Sequence, residues 1–220
     1  MNSVLGKLLD ALYPRDVACF ACNREARVDQ HGLCEECAAR IHTAGILDGP
    51  PGMSGLYAAF WYEEPLHPAV YRFKYGGAKY LAWHFASCMQ LPQDWRVDAV
   101  VPVPLSARRQ RERGYNQSGL IARMLSERYG FPAEQALLAR VRDTAAQAGL
   151  SAGLRAQNVE GAFVASPAAK GRALLLVDDV VTTGSTLSAC AAALLKAGAD
   201  QIYAACACAA PAEHVRREKS

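Results

Sequence analysis

The chain has 220 residues, 51% hydrophobic and 20% charged, which are the proportions of an ordinary soluble globular protein. That length accommodates one domain of average size with a small module beside it. A formal net charge of +3 and a pI of about 8.4 are too mild to imply nucleic-acid or membrane partners by themselves, and no run approaches the roughly 18 apolar residues of a membrane span.

In the first stretch, MNSVLGKLLDALYP, the apolar residues Val4, Leu5, Leu8, Leu9 and Leu12 are interrupted by Lys7 and Asp10, and no small-residue cleavage site follows. It reads as a short amphipathic helix ended near Pro14 rather than a signal peptide, so the cytoplasm is the default compartment. There, eight cysteines are expected as metal ligands or buried thiols rather than disulfides.

Cys19-x2-Cys22, an eleven-residue spacer and Cys34-x2-Cys37 come next. Each pair lets two thiolates close on one ion, and two pairs complete a tetrahedral site. With four protein ligands and no open position the ion, read as zinc, is structural. It compensates for the small core that about fifty residues can bury. The rival is a redox-active Cys-x2-Cys pair, but two such pairs close together favour metal. His31 lies between the pairs, could stand in for a ligand, and is expected to be exposed. Cys88, Cys190, Cys206 and Cys208 fall in apolar helical or strand patterns and read as small buried hydrophobes.

Ala44 to Gly55, rich in Gly and Pro, reads as the joint between a module of residues 1–50 and a main domain of residues 51–215. A strand is expected over Leu56–Tyr62 and a helix over Tyr80–Leu91. Between them Phe73-Lys74-Tyr75-Gly76-Gly77 sets a Lys beside a Gly pair, either a phosphate contact or a solvated turn. Val97–Val101 is read as the strand that begins the main sheet. After it Arg108, Arg109, Arg111 and Arg113 crowd six positions, which fits a solvated face or an anion site. Following a strand end favours the anion, and Arg suits bidentate phosphate contacts. Single-stranded nucleic acid is a second anion, with Tyr115 as a stacking ring. Leu120, Ile121, Met124 and Leu125 mark the buried face of the next helix.

Gln135–Arg140 reads as a further strand, and the polar segment Arg142–Gly161 as a lid or binding loop. Leu174–Val177 then forms a strand buried on both faces, ending in Asp178 and Asp179. Past Val180 and Val181, the residues Thr182, Thr183, Gly184, Ser185 and Thr186 turn into an apolar helix with Leu187, Cys190, Ala191, Leu194 and Leu195 on one face, stopping at Gly198. Ile202–Ala210 is a last strand, followed by a charged tail. Hydroxyls, a Gly and backbone N–H groups at a helix start make a phosphate cradle at the carboxyl end of a strand, where open α/β sheets bind ligands. Acids beside such a cradle suit a phosphorylated sugar; the blander alternative is a strand whose acids cap a turn.

The stretch from Leu174 to Thr186 resembles the phosphoribosyl pyrophosphate (PRPP) motif of type I phosphoribosyltransferases. Nearly the whole chain resembles the ComF family of phosphoribosyltransferase-like proteins. The shared features are the four cysteines, Phe73-Lys74-Tyr75-Gly76, Val101-Pro102-Val103-Pro104, Arg113-Gly114-Tyr115-Asn116-Gln117, Arg140-x-Arg142-x-Thr144-x2-Gln147, Arg155-x2-Asn158 and the PRPP motif. The resemblance implies an α/β fold of the type I phosphoribosyltransferase kind, a parallel sheet flanked by helices, with a small N-terminal four-cysteine zinc module and a mobile hood. It implies that Asp178 and Asp179 face the ribose hydroxyls and that Thr182–Thr186 hold the 5′-phosphate. Lys74, Arg108, Arg109 and Arg113 are candidates for the pyrophosphate, and Arg142, Gln147 and Arg155 for the hood. The implied reaction is pentosyl transfer: a nitrogen nucleophile displaces pyrophosphate from C1 of PRPP, with Mg²⁺ accompanying the PRPP.

One departure narrows the acceptor. In 6-oxopurine phosphoribosyltransferases an acid at the start of the phosphate loop is the base toward the purine, and here that position is Thr182, which argues against guanine or hypoxanthine. Regulators carrying this fold and motif also exist, so the fold alone does not establish catalysis. Some ComF members are associated with DNA uptake in natural transformation. The alternative expectation is therefore a non-catalytic protein that binds PRPP or single-stranded DNA, working with competence-machinery proteins.

Overall fold

The computed structural model describes residues 18–142 and 161–211. Strands among them are β1 (Thr43–Leu47), β2 (Gly55–Trp61), β3 (Ala99–Pro102), β4 (Leu138–Arg140), β5 (Phe163–Ala165), β6 (Ala173–Val181) and β7 (Gln201–Ala209). The helices are α1 (Glu35–Arg40), α2 (His67–Tyr75), α3 (Leu81–Cys88), α4 (Ala107–Arg113), α5 (Gln117–Tyr129) and α6 (Ser185–Lys196). The expected N-terminal helix, the hood residues Thr144, Gln147, Arg155 and Asn158, and the charged tail lie outside the described residues.

The main sheet has the order β1-β2-β7-β6-β3, with β1 antiparallel to β2 and every other pair parallel. Its two longest parallel strands, β6 and β7, are mostly apolar and lie side by side in register from Ala173↔Gln201 to Val181↔Ala209. Strands buried on both faces need helices or sheet above and below. Leu175, Val177, Tyr203 and Ala205 pack toward α2, α3, α5 and the cysteine module. Leu174, Leu176, Ile202 and Ala204 pack toward α6 and a small ribbon in which β4 pairs antiparallel with β5. Cys190, Cys206 and Cys208 are buried thiols within these layers, and Cys88 is half-buried.

The sheet begins earlier than expected. Thr43–Leu47, whose Ala44–Leu47 lies in the stretch read as a joint, is its antiparallel edge strand. Local Gly and Pro content could not show that these few residues pair back on the strand that follows them, from Thr43↔Phe60 to Leu47↔Leu56. β3, read as the opening strand, lies instead at the far edge, where Pro132 and Glu134 continue the pairing along Val100. Only Leu138–Arg140 of the strand expected at Gln135–Arg140 is extended, after a 3-10 turn at Gln135–Leu137, and it belongs to the ribbon. The helix expected from Tyr80 to Leu91 is Leu81–Cys88.

Adjacent strands β3 and β6 send their following helices to opposite faces: α5 packs with the first layer and α6 with the second. A crevice opens at the carboxyl ends of strands where the connections diverge in this way.

Candidate functional site

A cleft of about 330 Å³ fills that crevice, lined by Lys74, Arg109, Arg113, Ser118, Asp178 and Asp179 together with Thr182–Thr186. β6 runs past the acids to Val181, so both carboxylates lie inside a strand rather than after it. Strand alternation gives consecutive residues different neighbours. Asp178 Oδ1 accepts hydrogen bonds from Ser118 Oγ and from the Asp179 N–H, both at 2.9 Å. Asp179 pairs with Lys74 Nζ at 3.2 Å. Burial, and after it the Asp179 charge, pushes the Asp178 carboxyl up to about 7, against the opposing pull of its two hydrogen bonds and of Lys74. Ser118 is the contact that sequence reading missed. Its signal was the Asn116 N-cap, which fixes the start of α5 by accepting from the Ser118 N–H at 3.1 Å.

The loop from Thr182 to Gly184 delivers the chain into the N-terminus of α6, a 12-residue helix whose first N–H groups have no intrahelical partner. Thr183 Oγ1 lies 2.8 Å from Ser185 Oγ and accepts from the Ser185 N–H at 3.4 Å, which closes the turn. Gly184 sits at φ +74°, and a Cβ there would come within 3.0 Å of Pro50 Cγ. Gly184→Ala is therefore expected to cost about 1–2 kcal/mol through left-handed strain alone, and the crowding of Pro50 adds to it. A thermal melt should show Tm lower by about 2–8 °C.

Cations face the acids across the cleft. Arg113 Nη1 donates to Gln117 Oε1 at 2.9 Å, and its guanidinium lies 5.2 Å from the Tyr75 ring centre. Arg109 joins it from α4, a helix begun by Ser106, whose Oγ accepts the Arg109 N–H at 3.3 Å. Arg140, at the end of β4, also lines the cleft; sequence reading quoted it only as part of a motif. Arg108 is exposed, outside the lining residues, and pairs with Glu112 at 3.4 Å. Arg142 is exposed beyond β4, its carbonyl accepting from Arg140 Nε at 3.3 Å. Tyr115, singled out as a stacking ring, is only 8% exposed and donates its hydroxyl to the Phe73 carbonyl. Among the described residues the large exposed rings are Tyr71, Tyr75, Tyr80 and Trp83, of which Tyr75 lines the cleft while Tyr80 and Trp83 meet His84 edge-on.

The four N-terminal cysteines converge as their spacing requires, with all sulfurs within 4.8 Å of one another. Cys22 Sγ and Cys34 Sγ are 3.9 Å apart. Zn–S bonds of about 2.3 Å in a tetrahedron give sulfur–sulfur edges of about 3.8 Å, so the set fits zinc. Burial pushes the Cys19 and Cys37 thiols up, and such thiols give up their protons to a metal rather than act as free nucleophiles. Burial acts the same way on Cys22, but Arg24, 3.4 Å from its sulfur, overrules it and brings the thiol down to about 6. His31 is half-buried, not exposed as expected, and stays outside the cluster, its Nδ1 3.8 Å from Cys88 Sγ.

Residues 114–220 match the phosphoribosyl transferase domain. The DNA utilization protein YhgH of Escherichia coli K12 is 33% identical over 86% of this chain and 89% of its own length. The chain belongs to the ComF family. Competence protein F of Haemophilus influenzae is another similar relative of this ComF protein, 31% identical over 84% of this chain and 93% of its own. Among solved structures, the B. subtilis glutamine PRPP amidotransferase complexed with ADP and GMP covers 60% of the ComF chain and 26% of its own at 23% identity, with a TM-score of 0.40, too loose a likeness to bear on function. No helix among the described residues is long and apolar enough to cross a membrane.

Proposed function

We propose that this protein binds PRPP with Mg²⁺ in the cleft and transfers its phosphoribosyl group to a nitrogen nucleophile, releasing pyrophosphate. The observation that carries the reading is the convergence of an acid pair, a hydroxyl-rich helix N-terminus and a wall of cations in one crevice. Asp178 and Asp179 would accept hydrogen bonds from the ribose 2′- and 3′-hydroxyls, held in place by Ser118 and Lys74. The N–H groups and hydroxyls of Thr182–Thr186 would hold the 5′-phosphate, aided by the α6 dipole.

Lys74, Arg109, Arg113 and Arg140 would then face the departing pyrophosphate, and Arg108 falls behind them as a candidate. During transfer the bond from C1 to the pyrophosphate oxygen breaks, a bond from nitrogen to C1 forms, and the nitrogen loses its proton. Negative charge gathers on the leaving oxygen, and fixed cations stabilise it most where water is excluded. Mg²⁺, when bound, neutralises pyrophosphate charge as a Lewis acid. Thr182 leaves no acid at the start of the phosphate loop, so the acceptor is one whose nitrogen needs no base there. Of residues 1–50, the part before β1 would serve as the structural zinc module, while β1 joins the sheet of the ligand-binding domain.

A second reading, binding of single-stranded DNA, is favoured by one specific observation. Tyr71 and Tyr75 are exposed side by side at 5.2 Å with Arg113 on the Tyr75 ring, and Tyr80 and Trp83 are exposed further along the chain, next to Lys79 in sequence. Exposed rings interleaved with cations form a stacking platform for bases. The names of the relatives, which concern DNA utilization and competence, accord with it.

One calorimetric experiment separates the readings. PRPP titrated with Mg²⁺ is expected to bind saturably at about one per chain, with ribose 5-phosphate weaker for want of the pyrophosphate. No heat from PRPP, together with oligodeoxythymidylate binding that weakens steeply with salt and is lost in Arg108→Ala/Arg109→Ala, would establish the second reading instead.

A further inference from the structure

The last turn of α2 is gripped from three directions by three consecutive residues. Arg72 reaches back to the cysteine module: Nη1 donates to the Ala21 carbonyl at 3.3 Å, and Nη2 to the carbonyls of Phe20 and Ala21. Phe20 and Ala21 are the two residues enclosed by Cys19 and Cys22. Phe73 offers its carbonyl to Tyr115 Oη and, at 3.2 Å, to Gln117 Nε2, the side chain that also holds Arg113. Lys74 reaches Asp179.

The Arg72 anchor has little redundancy. Its Nε is buried without a partner, so the hydrogen bonds of the guanidinium seen here are those to the two carbonyls of the cysteine turn. Arg72 is half-buried, and the buried part of its guanidinium is tolerated only while such groups face it. The Arg72 carbonyl in turn accepts from the N–H groups of Gly76 and Ala78, which close the end of α2 around Lys74. Phe20 seats the turn by stacking on His84 at 5.0 Å and meeting Phe85 edge-on at 5.8 Å. That packing fixes the ring, and the turn's backbone is held by the Phe20 N–H on the Gly32 carbonyl, the Cys19 N–H on the Arg24 carbonyl and the Asn23 N–H on the Cys19 carbonyl. Closure of Cys19 and Cys22 on one centre would add the constraint that fixes the direction of the two carbonyls.

We infer that Arg72 is a positioning residue that couples the four-cysteine centre to the cleft. Closure of Cys19 and Cys22 aims two carbonyls at Arg72, Arg72 sets the last turn of α2, and that turn sets Lys74 against Asp179. The inference rests on the proposed PRPP and zinc readings and adds a consequence that neither contains: metal loss at the module weakens the ligand site.

The test uses the full chain loaded with zinc, with Arg72→Ala and, should that variant fold poorly by circular dichroism, Arg72→Gln. Zinc content, amide hydrogen exchange over residues 72–79 and PRPP affinity with Mg²⁺ are read before and after chelation of zinc. In the wild type, chelation should speed exchange over 72–79 and weaken PRPP binding, each by about tenfold. The Arg72 variant should keep its zinc yet show part of both changes already. Chelation should then alter each by a clearly smaller factor than in the wild type, the remainder passing through the core that Phe20 shares with Phe73 and Phe85. Equal effects of chelation in wild type and variant, or wild-type exchange in the zinc-loaded variant, would overturn the inference. A wild type that takes no PRPP defeats the functional reading alone, because the exchange measurements still judge Arg72.

Discussion

Asp178→Asn/Asp179→Asn is expected to abolish PRPP binding while leaving the fold intact. Each carboxylate is placed to accept a charge-assisted hydrogen bond, worth about 1.5–3 kcal/mol, and the loss of both predicts a fall in affinity of about 10²–10⁴-fold. The fold should survive because an Asn oxygen at position 178 can still accept from Ser118 Oγ and the neighbouring N–H. Lys74, partly exposed, can turn to water once Asp179 is neutral. The Asp178 carboxyl, raised to about 7, adds a pH signature. Wild-type affinity should strengthen as pH rises through about 7 and Asp178 ionises, while Asp178→Asn alone flattens that rise. Stability should run the other way. The folded carboxyl holds its proton up to about 7 whereas the unfolded one loses it near 4, so the wild type loses stability as pH rises across that window and the Asn variant does not. Calorimetric titrations and thermal melts between pH 5 and 8 read both effects. PRPP affinity unchanged in the double variant would remove the acid pair from the site.

Cys34→Ser should release the metal and unseat the module. Elemental analysis is expected to fall from about one zinc per chain to nearly none, because a three-thiolate remnant binds far more weakly. The consequence extends beyond the module, since Cys19, Phe20, Cys34 and Cys37 are buried in the same core as Phe73, Leu81 and Phe85. Loss of at least about 3 kcal/mol is expected, a drop in Tm of about 6–12 °C. A variant with full zinc content, or a wild type with none, would refute the zinc assignment.

Much of this protein was legible in order along the chain, for local reasons. Apolar runs at Leu174–Val177 and Ile202–Ala210 read as buried strands, and their neighbours Asp178–Asp179 and Thr182–Thr186 followed as the residues at the carboxyl end of one of them, where the cleft lies. Two Cys-x2-Cys pairs needed only their spacing to converge, because ligand geometry is set within each turn. The turn through Gly184 into a helix was likewise local, since a glycine there takes the left-handed backbone that begins α6.

What remained hidden depended on distance along the chain. Lys74 and Asp179 are over a hundred positions apart, and no local pattern pairs them; the parallel sheet does, by setting α2 against the carboxyl end of β6. Ser118 finds Asp178 because α5 packs across β3 and β6, and Arg72 finds Phe20 and Ala21 because the cysteine module lies on α2. Tyr115 looked like a surface ring until the Phe73 carbonyl claimed its hydroxyl. The cluster of arginines had no direction in the sequence; turned into α4, it sends Arg109 and Arg113 into the cleft and leaves Arg108 on Glu112 in solvent. The sequence by itself determined which chemistry the strand ends and cysteine turns offer, since these are properties of a few adjacent residues. Only the tertiary structure decided which side chains share a cleft, because hydrogen bonds and ion pairs between distant segments form only where packed layers bring them together.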